Sequence, residues 1–225
     1  MIQVPKSGAA RRIYLVDDHP LVREWLANLI VQQADLTVCG QAENAAIAQE
    51  EIAILRPDVV VVDLSLKGES GLELIKTLHQ QEGAPLILVL SMHDEIFYAE
   101  RALRAGARGY VMKRETTGKV IEALRKVLDG GMYVSEPLAN KMAEKLVGNR
   151  KKTGGSPGEL LSDRELQIFR LIGQGYENRR ISEELHLSLK TVQAYCARIK
   201  EKLDLENAMA LTRDAVRWIE QERLV

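Results

Sequence analysis

Short apolar runs alternate with amphipathic stretches over the first half of the chain. Ile13-Tyr14-Leu15-Val16, Val59-Val60-Val61-Val62 and Leu86 to Leu90 contain no charged side chain. Apolar runs this short, bounded by turn-formers, read as strands buried on both faces, the pattern of a parallel sheet. Strands are predicted over Arg12–Val16, Leu36–Ala42, Asp58–Val62, Leu86–Ser91 and Gly109–Met112. Helices are predicted between them, over Leu21–Gln33, Asn44–Leu55, Gly71–Gln80, Ile96–Ala105 and Lys119–Asp129. In the last of these, Val120, Leu124, Val127 and Leu128 keep helical spacing and give one apolar face. Five β-then-α units predict an α/β fold: a doubly wound, five-stranded parallel sheet covered by helices on both sides.

The periodicity then breaks at Arg150-Lys151-Lys152-Thr153-Gly154-Gly155-Ser156-Pro157-Gly158, a composition that marks a flexible connector. Beyond it the chain reads as all helix. Ser162-Asp163-Arg164-Glu165 has the form of a capping box, followed by an apolar face of Leu166, Phe169, Leu171 and Ile172. Asn178 is expected to cap a short helix carrying Ile181 and Leu185. Ser188 is expected to cap the next, with Val192, Ile199 and Leu203 facing inward. Two short helices around His186-Leu187-Ser188 make a helix-turn-helix, and a last helix from about Asn207 carries Leu211, Ala215, Val216 and Ile219. The domains are therefore expected over 12–136 and 159–222, with a linker over 137–158.

Composition changes this picture little. The chain has 225 residues and a formal net charge of −1, so no bulk electrostatic signal announces a nucleic-acid or membrane partner. Cys39 and Cys196 lie far apart without metal-ligand spacing, which argues against a disulfide framework or a zinc site and fits a reducing compartment. No apolar stretch approaches the ~20 residues of a spanning helix. Met1 to Arg12 has basic residues but no apolar stretch behind them, so no secretory signal is expected. The expectation is a soluble cytoplasmic protein with no membrane partner.

The candidate chemistry lies at the strand ends. Asp17 and Asp18 follow the first apolar run and Asp63 follows the third. Ligands of open α/β sheets bind outside the carboxyl ends of the strands. Carboxylates gathered there repel one another unless a cation is present. Mg²⁺ takes oxygen ligands and keeps waters for a phosphate to replace. The pattern points to a phosphoryl-handling site with Asp63 as nucleophile. Taken alone, Asp17-Asp18 also reads as a plain helix cap before His19-Pro20.

Residues 12–136 resemble the receiver domain of bacterial two-component response regulators, and residues 159–222 resemble the LuxR-type helix-turn-helix of the NarL/FixJ subfamily. The motifs occur in order: Asp17-Asp18, Asp63 within Val-Asp-Leu-Ser-Leu, Gly71-Leu72-Glu73-Leu74, Leu90-Ser91-Met92-His93-Asp94, and Gly106 through Lys113. The resemblance implies that Asp63 accepts a phosphoryl group from a phosphohistidine on a sensor histidine kinase. It implies that Asp18, Asp63 and the backbone carbonyl of Ser65 hold Mg²⁺, with Asp17 acting through water. Lys113 would face the phosphoryl oxygens, the Ser91 hydroxyl would bond the acyl phosphate, and Tyr110 would rotate inward behind it. Lys67 stands where many receivers carry proline.

At the other end, residues 188–202 hold Lys190, Arg198, Lys200 and Lys202 against Glu201, a local net of +3. From Glu159 to Val225 there are eleven basic and twelve acidic residues, so only this helix is basic. The resemblance turns Gln193, Ala194 and Ala197 toward the major groove, where glutamine suits adenine and alanine a thymine methyl. Lys190, Thr191 and Arg198 would contact phosphates. The expected protein is a transcription regulator that binds double-stranded DNA, as a homodimer on two half-sites when phosphorylated. Two other classes compete. An aspartate-nucleophile phosphohydrolase would generally place an acid/base aspartate where Ser65 stands. A regulator working by protein contact would fit the near-neutral helical end. A nucleotide-binding oxidoreductase lacks its G-x-G-x-x-G after the first strand.

Overall fold

Val59–Val62 forms the central strand of a five-stranded parallel sheet, and all four valines are buried. The computed structural model describes residues 10–66, 69–93, 95–147, 157–185 and 187–223. Lys67, Asp94, His186 and most of the predicted connector, residues 150–156, lie outside these. The chain divides into two compact units between Ala139 and Asn140.

The first unit runs β1 (Arg11–Val16), α1 (Pro20–Val31), β2 (Leu36–Ala42), α2 (Ala45–Leu55), β3 (Val59–Val62), β4 (Ser65–Leu66), β5 (Glu69–Ser70), α3 (Gly71–His79), β6 (Leu86–Ser91), α4 (Glu95–Ala105), β7 (Gly109–Met112) and α5 (Thr117–Leu128). The main sheet has the order β2-β1-β3-β6-β7, and β4 and β5 make a separate antiparallel pair. Side chains alternate across the sheet. Ile13, Leu15, Val59, Val61, Leu88, Leu90 and Val111 point to one side, where they pack with Leu26 and Ile30 of α1 and Val120, Leu124 and Val127 of α5. The alternate positions, among them Tyr14, Val60, Val62, Val89 and Tyr110, are equally buried on the opposite face. Burial on both faces is why these strands read as continuous apolar runs.

In this strand order the direction of winding reverses beside β1, which opens a crevice between β1 and β3. Register then decides what stands in the crevice. Val16 pairs with Val62, so the next residues, Asp17 and Asp63, come level; Ser91 pairs with Met112, so Lys113 emerges beside the end of β6. Backbone bonds continue past the strand ends and fix these positions: Asp63 N to Val16 O at 2.8 Å, Asp17 N to Ala42 O at 3.2 Å and Lys113 N to Ser91 O at 2.8 Å.

Part of the stretch expected as linker is helical: α6 spans Glu136–Val147, and the division between the units falls within it. Leu138 is buried and Met142, four residues on, is half-buried, the start of a short apolar stripe. The second unit contains α7 (Pro157–Leu160), α8 (Asp163–Gly173), α9 (Asn178–Glu184), α10 (Leu189–Lys202) and α11 (Ala208–Arg223). The capping box forms as expected, with Ser162 Oγ accepting from Glu165 N and Glu165 Oε2 accepting from Ser162 N at 2.7 Å. Asn178 does not cap α9. Glu177, with extended backbone, holds that position, and Asn178 is the first helical residue. Val216 is 36% exposed; the interior place goes to Trp218, whose ring lies 5.8 Å from that of Phe169.

Gly71 couples the fold to the crevice. A methyl group there would stand 2.1 Å from the Asp63 carbonyl oxygen and 2.7 Å from Leu64 Cα, both backbone atoms with no room to move. Gly71→Ala is expected to lower the stability of the first unit by about 1–3 kcal/mol through overpacking, read as a lower urea midpoint.

Candidate functional site

The three predicted carboxylates and the predicted lysine meet. Lys113 Nζ lies 2.6 Å from Asp17 Oδ2 and 2.7 Å from Asp63 Oδ2. Asp17 and Asp63 are each 3% exposed. The other oxygen of Asp63, Oδ1, is buried without a hydrogen-bond partner. Among the described residues, Asp17, Asp18, His19 and Asp63 place ligand atoms within 4.8 Å of one another. His19 sits on the rim, with Nδ1 2.6 Å from Asp18 Oδ1 and 3.3 Å from Asp17 Oδ1. It is also the N-cap of α1, with Pro20 beginning the helix, so the capping reading of this segment holds beside the site reading.

Burial drives the Asp63 carboxyl above the usual aspartate range, against the pull of the Lys113 ammonium, and the Asp17 charge adds to the rise. Burial also works to lower the Lys113 pKa, yet the Asp63 charge and the bonds to both carboxylates outweigh it, so it stands above the ordinary lysine value. Lys113 is thus held protonated. Two of the clustered carboxylates pair with this ammonium while Asp18 lies beside them, a formal surplus of two negative charges that a divalent cation matches. The unpartnered Asp63 oxygen and the all-oxygen carboxylate set fit Mg²⁺, which the acidic pocket of receiver domains typically holds.

The hydroxyl groups lie around this centre. Ser91 is fully buried, and its Oγ accepts from His93 N at 3.2 Å. Tyr110 sits inward, 1% exposed, and its hydroxyl donates to the His93 carbonyl at 2.9 Å. His93, given no role from sequence, joins these pieces. Its Nε2 lies 2.7 Å from Ser65 Oγ, and its ring stacks on Tyr98 at 4.4 Å. It therefore ties the loop after β6 to the segment after Asp63. No periodicity could have revealed a contact between residues 28 apart in sequence.

In the second unit, Lys190, Gln193, Ala194, Ala197 and Arg198 are all exposed and fall at helical spacing along one stripe of α10. Val192 and Ile199 occupy the buried side. Thr191 is engaged in the cap: its N–H donates to Ser188 Oγ at 3.0 Å and the two hydroxyls lie 2.7 Å apart. Lys202 does not add to the free positive charge, since it pairs with buried Glu165 at 2.6 Å. Two further cations were missed. Arg179 and Arg180 are exposed on α9, and the Arg180 guanidinium lies over the Tyr176 ring at 3.9 Å. Among the described residues no helix is long and apolar enough to cross a membrane.

The family model for the response regulator receiver domain matches residues 13–125, and that for bacterial regulatory proteins of the luxR family matches residues 159–215. The chain is 33% identical over 210 residues to the oxygen regulatory protein NreC of Staphylococcus carnosus, covering 92% of this chain and 97% of that protein. A LuxR-family two-component response regulator from Aurantimonas sp. SI85-9A1 is 36% identical, with a TM-score of 0.58 over 62% of this chain and 100% of that one. The response regulator ChrA of a heme-sensing two-component system is 28% identical, with a TM-score of 0.50 over 96% of this chain and all of that one.

The charge balance at Asp63 is testable through stability alone. In chelator, Lys113→Met strips the acidic cluster of its buried cation and is expected to cost about 3–5 kcal/mol. Asp63→Asn removes a buried charge and leaves Lys113 with Asp17, so the denaturation midpoint is expected to rise. Unfolding by urea in the presence of EDTA measures both.

Proposed function

Since the chain belongs to the response regulators that join a receiver domain to a LuxR-family DNA-binding domain, we propose that Asp63 takes a phosphoryl group from a phosphohistidine of a sensor kinase and that this raises affinity for double-stranded DNA. The observation that carries the reading is the buried Asp63 carboxylate, one oxygen held by Lys113 and the other without a partner, level with Asp17 at the sheet edge.

A carboxylate oxygen of Asp63 bonds to phosphorus while the phosphorus–nitrogen bond breaks, and the electron pair returns to the leaving imidazole. Transfer of this kind needs positioning and charge neutralisation more than covalent help from the protein. Asp18, Asp63 and the Ser65 carbonyl would hold Mg²⁺, with Asp17 acting through water, and the cation would supply the positive charge that balances the phosphoryl oxygens. Lys113 adds a compact, mobile ammonium on the opposite flank. The buried Ser91 hydroxyl then turns from capping His93 to bonding the acyl phosphate, and Tyr110 stays inward behind it. Ser65, bonded through its hydroxyl to His93, offers no carboxyl for acid/base hydrolysis. The family is one of DNA-binding transcription regulators and not of enzymes.

On the DNA side, the exposed stripe of α10 enters the major groove. Gln193, Ala194 and Ala197 meet base edges, while Lys190, Thr191 and Arg198 contact the backbone. The first helix of a helix-turn-helix crosses the backbone, which gives Arg179 and Arg180 of α9 the same task. From Glu159 to Val225 the numbers of basic and acidic residues are nearly equal, so specific binding rests on two copies engaging half-sites one helical turn apart.

Acetyl phosphate with Mg²⁺ is expected to add one labile phosphoryl group to the wild-type chain, seen by intact-mass measurement, and to raise DNA affinity at fixed salt. Chelator or Asp63→Ala is expected to abolish both; a phosphorylated chain with unchanged DNA affinity refutes the proposed switch. Lys190→Ala is expected to weaken binding uniformly across sequences and reduce the salt slope by about 1. Gln193→Ala is expected to change preference at a single base position by about 1–3 kcal/mol. Binding titrations on a selected site and its single-base variants separate these two outcomes.

A further inference from the structure

The chain that leaves α5 first turns back along the edge of the sheet. Tyr133 N–H donates to the Arg108 carbonyl at 3.0 Å, Tyr110 N–H donates to the Tyr133 carbonyl at 2.8 Å, and Gly109 and Tyr133 form a parallel bridge. Gly109 allows this close approach: a Cβ there would stand 3.0 Å from the Tyr133 oxygen and 2.8 Å from Leu88 Cδ1. The strap therefore borrows the backbone of Tyr110, the aromatic residue placed behind the phosphoacceptor site.

Two residues later Ser135 starts α6. Its carbonyl accepts from Ala139 N at 2.9 Å and its Oγ accepts from Leu138 N at 3.3 Å. The same hydroxyl donates to the carboxylate of Glu95, in the first turn of α4. Glu95 is 7% exposed, and a carboxylate so buried is costly without bonded donors. Ser135 thus performs two tasks with one hydroxyl: it caps α6 with its lone pair and satisfies Glu95 with its proton. Glu95 stands two residues after His93, whose N–H donates to Ser91 Oγ and whose carbonyl accepts from Tyr110.

We infer that Ser135, through Glu95, is the positioning residue by which the state of Asp63 reaches α6. The inference rests on the phosphoacceptor reading given above. The strap docks on the Tyr110 backbone and the hydroxyl docks on Glu95, so whatever fixes Tyr110 inward and the loop after β6 in place also fixes the first turn of α6. Phosphorylation protects that turn, and breaking the Glu95 bond uncouples α6 from the site without disabling the site. Neither residue is one of the four that make up the acidic cluster.

Ser135→Asp separates coupling from capping. Aspartate caps a helix as well as serine does, but at this place it sets a second carboxylate against Glu95. The full-length chain is treated with acetyl phosphate and Mg²⁺, and three quantities are read: mass gain, amide hydrogen exchange over residues 133–139, and DNA affinity. In wild type, phosphorylation is expected to slow exchange over 133–139 and to raise DNA affinity. In Ser135→Asp the mass gain stays while the protection disappears and the affinity gain falls at least about fivefold, the lower range of allosteric coupling. Adding Glu95→Gln, which relieves the repulsion and can donate to the new carboxylate, restores most of both. Glu95→Ala alone, with the serine cap intact, reproduces the loss. Wild-type responses in Ser135→Asp or in Glu95→Ala overturn the inference, as does a double variant that remains uncoupled. No mass gain in wild type overturns the phosphoacceptor reading instead, and this inference with it.

Discussion

Three carboxylates and one ammonium at the end of a parallel sheet set the terms for everything around them. Asp17 and Asp63 are nearly sealed from water, and Lys113 lies between them within hydrogen-bond distance of both. Burying charges of one sign this close is unfavourable unless other charges and dipoles are fixed against them. The fold supplies that fixation by extending sheet hydrogen bonds one residue past the strands, so Asp17, Asp63 and Lys113 are held by main chain before side chains act. The same rigidity explains Gly71, where the chain passes too close to the Asp63 carbonyl to carry a side chain. The site concentrates like charge on a rigid backbone, and on the proposed reading a divalent cation would supply the counter-charge that Lys113 alone does not.

The acidic centre was legible in sequence because its residues end apolar runs. A run buried on both faces announces itself, and the polar residue that closes it must lie at the sheet edge. Asp17, Asp63 and Lys113 all follow such runs, and the five main strands match the predicted ones to within a residue at each end. Contacts between loops left no such trace. His93 looks like an isolated histidine until the fold brings it against Ser65 and Tyr98. The first turn of α6 was hidden for another reason: with Leu138 as its one fully buried side chain, it has almost no periodicity to read. In α11, Val216 and Trp218 both suit the apolar face by spacing, and only the packing against Phe169 decides for the tryptophan. Lys202 was counted as free charge because its partner, Glu165, lies 37 residues away.

The exposed stripe of α10 uses positive charge sparingly. It offers two cations, Lys190 and Arg198, around small and amide side chains. Counterion release scales with the number of phosphates neutralised, so a surface of this kind gains little from non-specific attraction. That economy suits a regulated binder. On the proposed reading, weak single-copy affinity would let dimerisation decide occupancy, whereas a strongly basic unit would hold DNA whatever the state of Asp63.

Energetics then limit how such a switch can work. Moving a two-state equilibrium from one part in a hundred to ninety-nine takes about 5.5 kcal/mol of differential stabilisation. A hydrogen bond contributes a net ~0.5–1.5 kcal/mol, and somewhat more when one partner is charged. No single contact near Asp63 reaches the required sum. In the proposed switch, the bond of Ser91 to the phosphoryl group would add to three that the structure already makes: of Tyr110 to the His93 carbonyl, of Ser65 to His93 and of Ser135 to Glu95. Three of these four involve the short segment between β6 and the first turn of α4, and the fourth starts from its first residue, Ser91. On the proposed reading these bonds form the route from the phosphoacceptor site to α6, and a variant that breaks the bond of Ser65 to His93 or of Ser135 to Glu95 is expected to weaken the switch while the acyl phosphate still forms.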